Sequence, residues 1–272
     1  MELPVTVGVD ASPASLAAAD WAAREAELRD RPLRVLHALP LMPHLLPGRE
    51  ARPAAESAAL LHEVRHVLAV RRPQVRTRTE EVHDLATAAL VAAAEDAELL
   101  VLGARGHGGF PALRVGATAL HVAARAGCPT VLLPVDPPGD GPRDHVVVGV
   151  DARRPAEAAL EFAFAAARRY GLPLRAVHAF PALPSGAAGG RRGEEAALLA
   201  DALVPWAAAH PDVEVAADAE PAGAGLLLVE ASAKARLLVV GRRPITSVGR
   251  LGPVAHAVLH HAECPVAVVP EA

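Results

Sequence analysis

The chain repeats itself. Val7-Gly8-Val9-Asp10 returns as Val148-Gly149-Val150-Asp151, 141 residues on, and Leu36-His37-Ala38 is matched by Val177-His178-Ala179 at the same offset. Leu99 to Gly103 (LLVLG) returns as Leu237 to Gly241 (LLVVG) at an offset of 138, and Cys128-Pro129 as Cys264-Pro265 at 136. Matches in constant order with slowly drifting offsets mark a tandem duplication. The 272 residues are therefore two copies of one unit, close to the ~150 residues a typical domain uses. The stretch from Asp136 to Pro142 (DPPGDGP) reads as the linker, with domains at 1–138 and 144–272.

Within a copy, short apolar runs alternate with Ala-rich stretches. In the first, strands are expected near Leu3 to Val9, Leu33 to Leu39, Val75 to Val82, Leu99 to Gly103 and Thr130 to Val135. Helices are expected near Pro13 to Arg29, Ala54 to Arg71, Leu85 to Ala97 and Ala117 to Ala126. Ser12-Pro13 has the form of an N-cap followed by Pro at the first helical position, and Arg154-Pro155 repeats the Pro. The strands read as continuously apolar, as in a parallel sheet covered on both faces. Alternating β and α with right-handed crossovers gives a doubly wound α/β domain. The Pro-rich segment from Leu39 to about Arg52 is a lid or a slack connection, and its counterpart from Pro181 to Gly193 is Gly-rich.

Composition narrows the partners. The chain is 52% hydrophobic and only 3% aromatic, so Ala, Val and Leu must fill the cores. Mean hydropathy of +0.25 excludes long disorder. With a net charge of −4, Lys234 as the only lysine and no sustained basic cluster, nothing marks a nucleic-acid or anionic-membrane partner. The start, MELPVTVGVD, has neither the charged nor the apolar part of a signal peptide, and no apolar run reaches the ~18 residues of a membrane span. A soluble, cytoplasmic protein is the expectation. Cys128 and Cys264 form no CxxC pair and read as small buried side chains rather than redox groups.

Ligands of an open parallel sheet bind beyond the carboxyl ends of its strands, where successive crossovers leave for opposite faces. Asp10 ends the first strand there. Gly103 ends the fourth and opens Gly103-Ala104-Arg105-Gly106-His107-Gly108-Gly109, with Gly116-Ala117-Thr118 at the start of the last helix. Glycines permit close backbone approach, and the unpaired N–H groups of a helix start suit an anion such as a phosphate chain. Read alone, the same loop is equally a tight turn. It is not a P-loop, because GxxxxGK[ST] is absent, nor a dinucleotide fingerprint, because the glycines follow strand four instead of strand one.

Gly103-x2-Gly106-x9-Gly116, preceded by LLVLG and followed by Cys128-Pro129-Thr130-Val131, resembles the ATP-binding signature of the universal stress protein family. The opening VGVDASPASLAAADWAAREA is similar to that family's first strand and helix, and the resemblance covers both copies. It implies Rossmann-like domains, each a five-stranded parallel sheet of order 3-2-1-4-5, packed as an intrachain pseudo-dimer through their last strands, with a homodimer left open. It also implies an ATP-binding stress-response regulator without a defined reaction. The ligand would be ATP or a related adenine nucleotide, with or without Mg²⁺, and an unidentified protein partner would read the bound state. Carried over, Asp10 with Val9 sits against the ribose or a phosphate-bound Mg²⁺, and the backbone near Ala38 against adenine. Leu102, Gly103, Gly106 and His107 line the phosphate arm, with Gly116, Ala117 and Thr118 donating N–H groups. Ala117 departs from the family, which usually has Ser or Thr there, and one hydroxyl contact is lost.

The second copy departs further. Pro244 stands for the second glycine, Gly252-Pro253 puts a residue without an N–H at the helix start, and the arm between is shorter, so this site reads as degenerate. Arg242, Arg243 and Arg250 could draw an anion or simply be solvated, and Asp151 could serve as a turn residue. His37 and His178 are hydrogen-bonded strand-end histidines or adenine contacts. His256 and His260 have i, i+4 metal-ligand spacing, but no Glu between them and no third ligand, which favours packing. His107 is a pH-sensitive contact or an exposed loop residue. Beside the nucleotide-binding module stand two other readings: a scaffold of the same fold that binds no nucleotide, and a slow ATPase or adenylating enzyme. The enzyme has no placed base, nucleophile or acid pair, so the chain is expected not to be one.

Overall fold

A computed structural model describes residues 2–39, 54–106, 114–135, 143–182, 188–243 and 251–271. The linker at 136–142, most of the first Pro-rich segment, the start of its Gly-rich counterpart, His107, Gly108, Gly109, Pro244 and Arg250 lie outside these. The chain divides into two units, Met1–Val135 and Asp136–Ala272.

Unit one runs β1 (Val5–Gly8), α1 (Pro13–Arg29), β2 (Leu33–Ala38), α2 (Ala54–Arg71), β3 (Thr77–Val82), α3 (Ala86–Ala93), β4 (Leu99–Gly103), α4 (Ala117–Arg125) and β5 (Thr130–Leu133). Its strands are parallel in the order β3-β2-β1-β4-β5. Unit two repeats this with β6 (His145–Gly149), α5 (Glu157–Tyr170), β7 (Leu174–Ala179), α6 (Ala188–Ala209), β8 (Val215–Glu220), α7 (Ala224–Ser232), β9 (Ala235–Arg242), α8 (Pro253–His261) and β10 (Val266–Pro270). Its parallel order is β8-β7-β6-β9-β10. Both are the doubly wound 3-2-1-4-5 arrangement, with the switch point between the first and fourth strands of each unit.

The central strands are buried throughout: Val5, Val7, Leu99, Leu100 and Val101 have no exposed surface, and neither do Val146, Val147 and Val148. Sheets covered on both faces by helices demand such runs. β3 departs from that expectation. Its sequence TRTEEV alternates in burial, because it is the edge strand and one side of it meets water. With few aromatics, alanine carries the helix–sheet contact. Ala18, Ala22 and Ala26 of α1 and Ala159, Ala163 and Ala167 of α5 are all buried, and their small side chains let the helices sit close on the sheet.

Two helix ends depart from the sequence reading. The helix expected through Ala97 stops at Ala93 and tightens into a 3-10 turn at Ala94–Asp96. α1 begins as expected, Ser12 accepting from the Ser15 N–H at 3.2 Å with Pro13 in the first turn. Its counterpart α5 does not repeat this. Pro155 falls one residue later in the repeat than Pro13 and disfavours helix at Arg154, so α5 starts at Glu157 behind Ala156, which offers no cap. Glu271, just past β10, supplies the missing acceptor, its carboxylate receiving the N–H groups of Ala158 (3.4 Å) and Ala159 (3.2 Å).

Candidate functional site

In unit one the first and fourth strands deliver Asp10 and the Gly103–Gly106 turn to the same end of the sheet. Asp10 is fixed by the start of α1. Its Oδ1 accepts from the Ser12 N–H (3.0 Å) and hydroxyl (2.6 Å), and its own N–H donates to Ser15 Oγ at 3.2 Å. This turn places Ala11 at φ +66°, a left-handed conformation that costs a non-glycine residue about a kcal/mol. Ser12 was legible as the helix N-cap but not as a partner of Asp10, and Ser15 was missed; an S-x-x-S step after a strand-end Asp is the signal that could have found both roles.

The glycines have separable causes. A Cβ on Gly103 would lie 2.7 Å from the backbone carbon of Ala14 and 2.8 Å from its oxygen, so this glycine lets α1 pack against β4. Gly103→Ala should therefore cost roughly 1–3 kcal/mol in thermal unfolding without ligand, as overpacked sites do. A Cβ on Gly106 would lie 2.2 Å from Asp10 Oδ2, so the glycine lets the carboxylate lie against the turn. Gly116 is different. It N-caps α4 at φ −80°, ψ 155°, where any residue fits, and among the described residues a Cβ there would meet only Ala104 O at 3.6 Å and Arg105 Cα at 3.9 Å. Its N–H donates to Ala104 O at 2.7 Å, and no side chain caps the helix. Within the described residues nothing requires glycine at 116, and the first N–H groups of α4, on Ala117 and Thr118, lack intrahelical acceptors.

His37, at the end of β2, is buried, and its Nδ1 lies 2.6 Å from the carbonyl oxygen of Val9, next to Asp10. Val9, Ala38 and Leu102 complete the strand ends at this crest. Of the expected site residues, all but His107 lie among the described residues.

In unit two the corresponding strand ends enclose a cleft of about 410 Å³, lined among others by Asp151, His178, Leu228, Arg242, Arg243, Gly252 and Pro253. Asp151 serves as a turn residue here: its Oδ1 accepts from the Arg153 N–H (3.2 Å) and its carbonyl from the Arg154 N–H (3.0 Å). Its other carboxylate oxygen pairs with Arg243 at 3.3 Å across the mouth. Pro253 occupies the first turn of α8, so one N–H that α4 offers is missing. A network that sequence reading missed backs the cleft wall. Arg153 grips Glu195 of α6 at 2.6 and 2.8 Å, and Glu195 accepts from His178 Nε2 at 3.2 Å. The Arg153 hydrogen bonds, with His178 behind them, pull the Glu195 carboxyl down to about 2.

The remaining candidates pack. The rings of His256 and His260 meet tilted at 47°, with 4.5 Å between centroids, and burial with the two neighbouring histidines lowers the His260 pKa. No group of three potential metal ligands occurs among the described residues. Burial pushes the Cys264 thiol up to about 12, away from thiolate chemistry. No helix among the described residues is long and apolar enough to cross a membrane.

The profile of the Universal stress protein family matches residues 2–134 and again 142–270. This chain belongs to that family. It is similar to a universal stress protein of Mycobacterium tuberculosis, 32% identical over 286 residues that cover 97% of this chain and 96% of the relative. A universal stress protein of Mycolicibacterium smegmatis is 33% identical over 298 residues, covering 98% and 97%. Among solved structures, a universal stress protein from Archaeoglobus fulgidus superposes with a TM-score of 0.72 at 18% identity, covering 99% of this chain and 98% of its own. The likeness extends over the whole duplicated chain, so this universal stress protein shares both the unit and its tandem arrangement with its relatives.

Proposed function

We propose that unit one binds an adenine nucleotide, ATP, at its switch-point crest, and that the bound state is read by another protein. The observation that carries this is Gly116. A glycine on which no described residue makes a torsional or packing demand, at a helix start that no described side chain caps, offers backbone that a phosphate can approach. Gly106 and Asp10 lie beside it in the same turn, with the carboxylate held for a ribose hydroxyl or a magnesium ion bound mainly through phosphate oxygens. Such an ion needs only one or two carboxylates from protein, so the donor set fits. When bound, ATP supplies its charge and its shape to the surface; the chain's own residues position it. Asp10 is fixed by Ser12, and among the described residues the crest presents no placed base, nucleophile or acid pair for hydrolysis, which supports a binding protein over an enzyme.

Unit two is proposed as the weaker site. Pro253 removes a donor at the helix start, and Asp151 and Arg243 satisfy each other across the mouth. Calorimetric titration with ATP and Mg²⁺ should therefore saturate near one equivalent per chain. A stoichiometry of two, or no heat at millimolar ATP, would overturn the reading, the second outcome in favour of a scaffold. Ala117→Ser should tighten ATP about tenfold, because the added hydroxyl can donate a charge-assisted hydrogen bond at the start of α4. Unchanged affinity would show that Thr118 already fills that role.

A further inference from the structure

The start of α8 suits a phosphate less than the start of α4 does. Gly116-Ala117-Thr118 corresponds to Gly252-Pro253-Val254, 136 residues on. Pro253 has no N–H to donate, and Val254, which lines the cleft of unit two, carries an isopropyl group in place of the Thr118 hydroxyl. The walls are largely aliphatic, with Val150, Val177, Leu228 and Val240 beside Val254. His178 adds little polarity to them, because both ring nitrogens are engaged within the wall: Nδ1 lies 3.0 Å from Val150 O and Nε2 3.2 Å from Glu195 Oε2. At about 410 Å³ the space lies toward the lower end of the range of small-molecule sites.

Charge gathers at the mouth. The charged residues that line the cleft are Asp151, Arg242 and Arg243, a balance that favours an anion of low charge. Asp151 and Arg243 meet through a single contact of 3.3 Å, with side chains 50% and 35% exposed, and a pair so exposed to water is held weakly. Among the described residues Arg243 engages only Nη1, which leaves Nε and Nη2 of its planar fork to donate. A carboxylate matches such a fork with two parallel hydrogen bonds. A phosphate chain, with more charge to answer, would need the helix-start donor that Pro253 withdraws.

We infer that the cleft of unit two binds a small apolar monocarboxylate, its carboxylate on Arg243 at the mouth and its hydrocarbon body between the strand ends and the starts of α7 and α8. The two copies of one fold then carry two ligand chemistries. This one stands whether or not unit one binds a nucleotide.

The test titrates the full chain by calorimetry with acetate, butanoate and 4-methylpentanoate at fixed ionic strength, and with 4-methylpentanamide and L-leucine as neutral and zwitterionic counterparts. Affinity should rise about fourfold per added methylene, as hydrocarbon leaves water for the cleft, and 4-methylpentanoate should saturate at one equivalent. It should bind about tenfold tighter than the amide, and Arg243→Gln should remove that advantage without moving the Tm of the ligand-free chain. Val254→Thr, which keeps the shape and adds a hydroxyl to the wall, should weaken 4-methylpentanoate and leave acetate unchanged. Asp151→Asn, which releases Arg243 and removes a like charge, should tighten the carboxylates. One equivalent of ATP should leave all of these affinities as they were. No binding of 4-methylpentanoate, or affinity independent of chain length, would overturn the inference, the latter by reducing the contact to a surface ion pair. Tighter binding of L-leucine, lost in Asp151→Asn, would overturn it in favour of a zwitterion. Displacement by one equivalent of ATP would return the cleft to the nucleotide.

Discussion

Gly116→Val should abolish ATP binding and leave the folded chain intact. The backbone at 116, φ −80° and ψ 155°, lies in the extended region that β-branched residues favour, and among the described residues a Cβ there makes only ordinary contacts, with Ala104 and Arg105. Unfolding without ligand should therefore change little. The valine methyls would instead stand over the first N–H groups of α4, where the phosphates need close backbone approach. Losing two hydrogen bonds to charged oxygens, at about 1.5 kcal/mol each, weakens binding about a hundredfold. Wild-type chain at 100 times its Kd gains about 2.7 kcal/mol from ATP, a shift of several degrees in Tm, and the variant should gain almost none. Gly252→Val, the matching change at the start of α8, is the control and should leave ATP binding as it was. Loss of binding only in the Gly252 variant would move the nucleotide to the cleft of unit two.

The second large effect is on stability. Glu195→Gln should lower the Tm of unit two by roughly 5 °C near neutral pH, because a buried carboxylate that answers Arg153 and His178 is exchanged for a neutral group of the same shape. The effect depends on pH in a defined direction. Arg153, followed by His178, holds the native carboxyl at about 2 against an ordinary 4.5, so the unfolded chain takes up the proton first. The stabilisation is complete above about pH 4.5 and is lost as pH falls toward 2. Melting curves of wild type and variant should therefore stand apart at pH 7 and converge across that window. A separation independent of pH would show that the ionised carboxylate is not what the network requires. His37→Gln in unit one offers a contrast, since among the described residues no carboxylate answers that histidine, and the acid-side convergence should be absent.

Much of the architecture is local and so was legible. The limits of α1 and α2 match their apolar and capping signals residue for residue, as does β4, because Ser12-Pro13 and the unbroken run LLVLG act within a few residues of themselves. The duplication fixed the number of units and, with the resemblance, the strand order, since both are carried by repeated motifs in constant sequence. The glycine positions could be read as well, but not their reasons. Gly103 is small because Ala14 of α1 arrives from a distant stretch of chain, and Gly106 because Asp10 does; only Gly116 is left for a ligand. The acceptor at the start of α5 was not legible, because Glu271, which takes the place of a local cap, lies beyond the last strand. The same holds for the two histidines, identical in sequence context and different in chemistry. Tertiary packing alone brings Glu195 and Arg153 to His178 and sets Nδ1 of His37 against the Val9 carbonyl. A sequence states which hydrogen-bonding groups a chain carries, but a buried group's partner is set by which helix face meets which strand end, and that is decided only when the sheet and its helices close together.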